Sequence, residues 1–409
     1  MPTRPLLAFI FAAMLAACAH TPPAVDAQWR AAWAAAPDSP GPALAPQTIR
    51  QVVRTSVAGT QVRIRLSNLF GTAPLTIGPA AVARHAGGAA ITPGTTQALR
   101  FGGMPTVTIA PGASVTSDPV AMRVGALQDL AVSVYLPQAV AVSTLHGAGM
   151  QTAYLSTAGD ASAAPDIAPA QTDDSRYFLT DVQVLDAGPA RALVVVGDSI
   201  ADGIGSGNDR NARWPDLLAA RLQDDAAHAS IAVLNGGIAG NRILNDGAKP
   251  FVGPSVLARF DRDALDKPGV RWILLHEGIN DITAAQMLAT PRDKVGVDQI
   301  IEGMRTLAAR AHARNIKIWA GTLLPFDGTS KFYSPEAEAK RQALNAWIRG
   351  SAVFDAVIDF DAALRDPARP GRLRPAYDSG DHLHPNAAGY AAMAALVDLR
   401  LLDGGDALP

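Results

Sequence analysis

The chain has 409 residues, 48% of them hydrophobic and 18% charged, with a formal net charge of -2. This length predicts two domains, and the composition gives a globular chain enough apolar material for packed cores. A near-neutral balance with no dense Lys/Arg block offers nothing to attract a polyanion, which excludes nucleic acid as a partner.

The opening stretch MPTRPLLAFIFAAMLAACAH reads as a targeting segment. Arg4 supplies a positive start, and Leu6 to Ala17 form an apolar run too short to span a bilayer. Leu15-Ala16-Ala17-Cys18 resembles a bacterial lipobox, so residues 1–18 are expected to be a lipoprotein signal with Cys18 lipidated; cleavage after Ala19 is the alternative. Cys18 is the only cysteine, which leaves stability to packing rather than disulfides. The expectation is an exported protein, periplasmic or at the cell surface, touching the membrane only through its lipid anchor. Plain secretion is the alternative.

Residues 26–187 are short-patterned and turn-rich. Gln61 to Asn68 (QVRIRLSN) alternates Val62, Ile64 and Leu66 with Arg63, Arg65 and Ser67, and period-2 runs recur at Thr106 to Ala110 and Asp129 to Leu136. Gly and Pro clusters separate them, a pattern that predicts an antiparallel β-sandwich or jelly roll. Ala158 to Asp174 reads as an exposed loop, and RYFLTDVQVL as one last strand before a boundary near Ala187 to Ala190.

Residues 188–405 change rhythm to alternating strand and helix. Apolar strands are predicted at ALVVV, ASIAVLN, VRWILLHEG, KIWAGTLLP and VFDAVIDF, with helical spacing in WPDLLAARL, SVLARFDRDAL, VDQIIEGMRTLAARAHA, SPEAEAKRQALNAWIRG and the terminal NAAGYAAMAALVDLR. Five βα units in succession predict a parallel sheet with helices on both faces, a three-layer α/β/α domain. All the carboxyl ends of its strands meet at one rim, where open α/β sheets bind ligands.

Four segments fall at that rim: Gly197-Asp198-Ser199 after the first strand, Asn235 to Asn241 (NGGIAGN) after the second, Gly278 to Asp281 (GIND) after the third, and Asp381 to Pro385 (DHLHP) before the last helix. Each alone is ordinary turn or cap chemistry. Together and in this order they resemble the four blocks of the SGNH (GDSL-type) hydrolase family, over about residues 191–400. Ile200 stands where the family's name has leucine, an exchange that touches no reacting atom.

The resemblance implies a serine esterase on a flavodoxin-like sheet. Ser199 is the implied nucleophile, His384 the base and acid that moves its proton, and Asp381 the carboxylate that orients the imidazole. Oxyanion donors carry over to the backbone of Ser199, to Gly240 rather than Gly237, and to the Asn280 amide. No metal or cofactor is implied, and the expected substrate is a small-molecule or glycan ester. The leading expectation is a short acyl, particularly acetyl, ester, including O-acetyl groups on carbohydrates; a general carboxylesterase or arylesterase, a lipase-like acylhydrolase or an acyltransferase is the alternative. Phe326, Phe332 and Tyr333, in the segment after the fourth strand, are expected to line the substrate pocket.

Competing readings of the same residues are weaker. An α/β-hydrolase elbow would need glycine where Ala201 stands, and Gly203 to Gly207 lacks the spacing of a phosphate loop. His382 and His384 could suggest a metal, with His276 as a further ligand. Asp378 competes with Asp381 as the orienting acid, and Asp198 and Asp202 read as turn and cap residues.

Overall fold

The computed structural model describes residues 28–247, 252–288 and 290–403. The expected signal segment and Cys18 lie outside the described residues.

In the first half, period-2 alternation does what it predicts. Val62, Ile64 and Leu66 are fully buried while Arg63 and Arg65, on the other face of strand Gly59–Ser67, reach towards solvent. That strand belongs to a five-stranded antiparallel sheet with Gln28–Ala34, Leu179–Asp186, Ser114–Thr116 and Val120–Val124. A seven-stranded antiparallel sheet, centred on Gln47–Arg54, Asp129–Leu136 and Ala80–Gly87, supplies Ile49, Val82, Val132 and Val134 to the same core. Two sheets sharing one apolar layer make a β-sandwich.

Two local expectations are corrected. The run from Arg176 to Leu185 is not one strand: Phe178 takes φ 61, so Arg176–Tyr177 and Leu179–Asp186 join different sheets. Part of the expected loop at Ala158 to Asp174 is a strand, Pro169–Asp173, recruited as an edge by pairing with Ala153–Ser156.

The second half is a parallel sheet of β1 (Arg191–Gly197), β2 (Ile231–Gly237), β3 (Val270–His276), β4 (Lys317–Gly321) and β5 (Ala356–Ile358), ordered β2-β1-β3-β4-β5. This is the flavodoxin-like order, in which the first crossover reverses direction and opens a crevice beside β1. Its helices are α1 (Ser199–Asp202), α2 (Trp214–Gln223), α3 (Val256–Phe260), α4 (Ile279–Leu288), α5 (Val297–His312), α6 (Pro335–Gly350), α7 (Phe360–Leu364) and α8 (Ala387–Leu396). The expected helix over residues 255–265 is split, since α3 runs into a π-helical turn at Asp261–Leu265. Register sets the rim: Gly197 of β1 lies opposite both Gly237 of β2 and His276 of β3. Ser199, Gly240 and Asn280 therefore emerge side by side, each a few residues past a levelled strand end.

The halves share an interface. β2 is an edge strand, and the sandwich covers it: Ser56 Oγ accepts from the Val233 N–H at 3.2 Å, and Arg30 donates to the Ser230 carbonyl at 3.0 Å. Lys267 Nζ and Asp181 Oδ1 pair across the interface at 2.8 Å, both buried. Apolar residues of both halves, among them Ala31, Val182, Val194 and Leu234, form one continuous cluster.

Candidate active site

Ser199 is delivered by a turn that only small residues allow. A Cβ on Gly197 would lie 2.7 Å from the His276 carbonyl oxygen and 2.9 Å from Ala201 Cβ, so the chain can swing tightly from β1 into α1 only with glycine here. Asp198, not Ser199, caps α1, its Oδ1 accepting from the Ile200 N–H at 2.9 Å. The serine side chain is thus left unspent at the first helical position, and Gly203, at φ 92, ends the helix.

The loop before α8 brings the imidazole. Asp381 Oδ1 accepts from the N–H groups of Leu383 and His384 at 2.9 and 2.8 Å, folding the loop around the carboxylate. Its Oδ2 lies 2.5 Å from His384 Nδ1, and His384 Nε2 lies 2.8 Å from Ser199 Oγ, a contact between residues 185 positions apart. Partial burial works to raise the Asp381 pKa, but the ring hydrogen bond, the two backbone donors and the imidazole's charge prevail and hold it well below the usual carboxylate range. Tyr390 of α8 donates to the Ile204 carbonyl at 2.6 Å, tying this helix to the chain just past the serine.

Donors face the serine from two further blocks. Gly240, at φ 75, and Asn280 line the same cavity as Ser199 and His384. Asn280 Nδ2 is buried with no hydrogen-bond partner. The neighbouring Asp281 points elsewhere, accepting from the Ile243 and Leu244 N–H groups at 2.8 and 3.0 Å and so pinning the second block to α4. Gly237 has its N–H committed to Asn235 Oδ1 at 2.9 Å, which leaves Gly240 the better placed donor.

Of the expected pocket aromatics, only Phe332 lines the cavity. Phe326 is fully buried and Tyr333 packs on its ring at 5.6 Å, because the segment coils on itself: Thr329 Oγ1 donates to the Phe326 carbonyl at 2.9 Å and the Tyr333 N–H to the Thr329 carbonyl at 3.1 Å. His382 takes φ 64 and binds Asp378 at 2.6 Å, a pair separate from Asp381 and His384. His276 is buried edge-on against Phe360, and burial lowers its pKa to about 4, so it is a neutral packing residue.

Three supporting groups escaped sequence reasoning. Arg259 of α3, buried, donates to the carbonyls of Gly236 at 2.7 Å and Gly197 at 3.3 Å and to Asn241 Oδ1 at 2.9 Å, clamping the ends of β1 and β2. Glu277, the residue after β3, is fully buried; burial first, then the charges of Asp198 and Asp281, push its pKa well above the ordinary value. Asp202 is not a cap but a buried carboxylate 3.4 Å from His146 Nε2 of the sandwich, and burial raises its pKa to about 6. A charge pattern in a helix or loop ordinarily signals a solvated face, so none of these carried a signal.

A serine hydroxyl, an imidazole and a carboxylate in line at the switch point of a flavodoxin-like sheet form an arrangement that can run serine-type hydrolysis. Residues 195–392 match the GDSL-like lipase/acylhydrolase family, and this domain belongs to it. Among solved structures, a catalytic mutant of an acetylxylan esterase from Geobacillus stearothermophilus is 22% identical over 53% of this chain and 95% of its own, with a TM-score of 0.39. A GDSL-like lipase from Bacteroides thetaiotaomicron is 20% identical over 52% of this chain and 88% of its own, with a TM-score of 0.38. An α/β hydrolase enzyme from the metagenome of Lake Arreo, Spain, is 20% identical over 54% and 98%, with a TM-score of 0.39. No curated protein matches the chain.

Proposed function

We propose that Ser199, His384 and Asp381 hydrolyse carboxylic esters through an acyl-serine intermediate. Ser199 Oγ attacks the ester carbonyl while His384 Nε2 takes its proton, and the tetrahedral oxygen is received by the backbone N–H groups of Ser199 and Gly240 and by Asn280 Nδ2. Collapse breaks the bond to the alkoxy oxygen, which leaves with the proton from His384. Water then repeats the attack on the acyl-serine, giving its proton to His384, which passes it to Ser199 Oγ as the acid leaves. Asp381 stays ionised throughout and steadies the imidazolium.

The observation that carries this reading is the pair of short contacts, 2.5 and 2.8 Å, linking Asp381, His384 and Ser199 beside an uncommitted Asn280 donor. Turnover of p-nitrophenyl esters and fluorophosphonate labelling are both expected of the wild type and lost in Ser199→Ala; labelling elsewhere would refute the assignment. Short-chain esters are the substrate class, and acetate release from acetylated xylan beside p-nitrophenyl acetate turnover separates a glycan deacetylase from a general carboxylesterase. For the sandwich we favour a structural cover over a carbohydrate-binding module, supported by its seat on the edge of β2. Export with lipidation of Cys18 is tested by palmitate incorporation, which Cys18→Ser is expected to abolish.

A further inference from the structure

The site holds more apolar room than an acetyl group uses. The cavity that opens at Ser199 and His384 has a volume of about 310 Å³. An apolar cavity of about 150 Å³ already accommodates benzene. Its long wall is one face of α4: Asn280, Ala284 and Leu288 all line it at intervals of four residues, so it extends about 12 Å along the helix from the oxyanion donor, at ~1.5 Å of rise per residue. Val252, Phe332 and Leu383 enclose it. Arg242 also touches the cavity, but its guanidinium is engaged by Asp293 at 2.6 Å and by the Asp246 carbonyl at 2.5 Å, leaving no charge free to receive an ionic substituent.

The two substituents of an ester are not equivalent here. The alkoxy oxygen must reach His384 Nε2 to collect its proton, and the loop carrying His384 is exposed at Asp381. Placing the leaving alcohol on the side of this loop leaves the wall of α4, which starts at the oxyanion donor Asn280, to the acyl chain.

We infer that this cavity is an acyl pocket that selects neutral chains from butyryl to octanoyl, so that acetyl esters are its poorer substrates. This rests on the triad reading above. Each buried methylene is worth about fourfold in kcat/KM, or about 200-fold between acetyl and hexanoyl when all four added methylenes are buried.

The test is a p-nitrophenyl series from acetate to laurate, run with a second series in which the acyl group is hexanoyl and the alcohol is varied, on wild type and Ala284→Phe. A rise in kcat/KM from acetate to hexanoate, a fall by laurate and a flat alcohol series are expected. Ala284→Phe, with a ring placed across the pocket, is expected to lower the hexanoate-to-acetate ratio at least tenfold. A maximum at acetate, or a ratio unmoved by Ala284→Phe, overturns the acyl pocket while leaving the esterase intact; a steep alcohol series with a flat acyl series assigns the cavity to the alcohol and also overturns it. Failure of Ser199 to label with fluorophosphonate, with no ester turned over, overturns both readings.

Discussion

Replacing Asn280 by alanine separates a catalytic donor from a structural one. In the resting fold Nδ2 is buried without a partner, and an idle buried donor costs about 1–3 kcal/mol. Its proposed partner, the oxyanion, exists only in the transition state, where one such donor is worth about 3–4 kcal/mol. Asn280→Ala should thus lower kcat for p-nitrophenyl butyrate by about 10²–10³ while KM changes little. The same substitution removes an unsatisfied group and puts a better helix former near the start of α4, so the melting temperature should hold or rise by a few degrees. Steady-state kinetics beside calorimetry decide the matter. A variant that melts several degrees lower, or that keeps kcat within fivefold of wild type, would refute the reasoning, because Asn280 would then be holding the fold rather than awaiting charge.

Asp381→Asn should lower kcat by about 10²–10⁴, and because the native carboxylate is held well below its usual range, the acid limb of the wild-type kcat/KM profile should have unit slope; a slope of two would mean that Asp381 loses its charge on that limb. Asp202, raised to about 6 by burial, adds stability below its ordinary value of 3.8 that is lost as pH rises through 6, up to about 3 kcal/mol. Urea titrations at pH 4 and pH 7 should therefore show the wild type losing ground to Asp202→Asn over that interval, and a constant difference would argue against a buried, titrating carboxylate. Lys267→Met strands Asp181 in the interface and should cost about 3–5 kcal/mol with both halves still melting in one calorimetric transition; a separate early transition would show that the sandwich unfolds by itself.

The blocks that meet at the candidate site were legible as short local runs. Ser199, Gly240 and Asn280 each stand just after an apolar strand, in a run of turn residues, and parallel register then levels the strand ends. His384 and Asp381 share one loop and hydrogen-bond across it, and the family resemblance, not spacing, favours Asp381 over Asp378. The sandwich and the parallel sheet were equally legible, since period-2 and strand-helix rhythms need no long-range knowledge.

What failed depends on the far side of the fold. The choice among Phe326, Phe332 and Tyr333 is made by how one segment coils around Thr329, which no periodicity reports. Arg259 and Asp263 sit in the charged run ARFDRDAL, whose helical spacing says nothing of their burial; they are buried as an ion pair, and the guanidinium also bridges the carbonyls at the ends of β1 and β2. Asp202 and His146 are a further step removed, one on the turn after the nucleophile and the other on a strand of the sandwich. A buried carboxylate needs an opposite charge or a proton, and here the first half of the chain supplies the partner to the second. The last residue of the helix that presents Ser199 is therefore in contact with the sandwich, as β2 is.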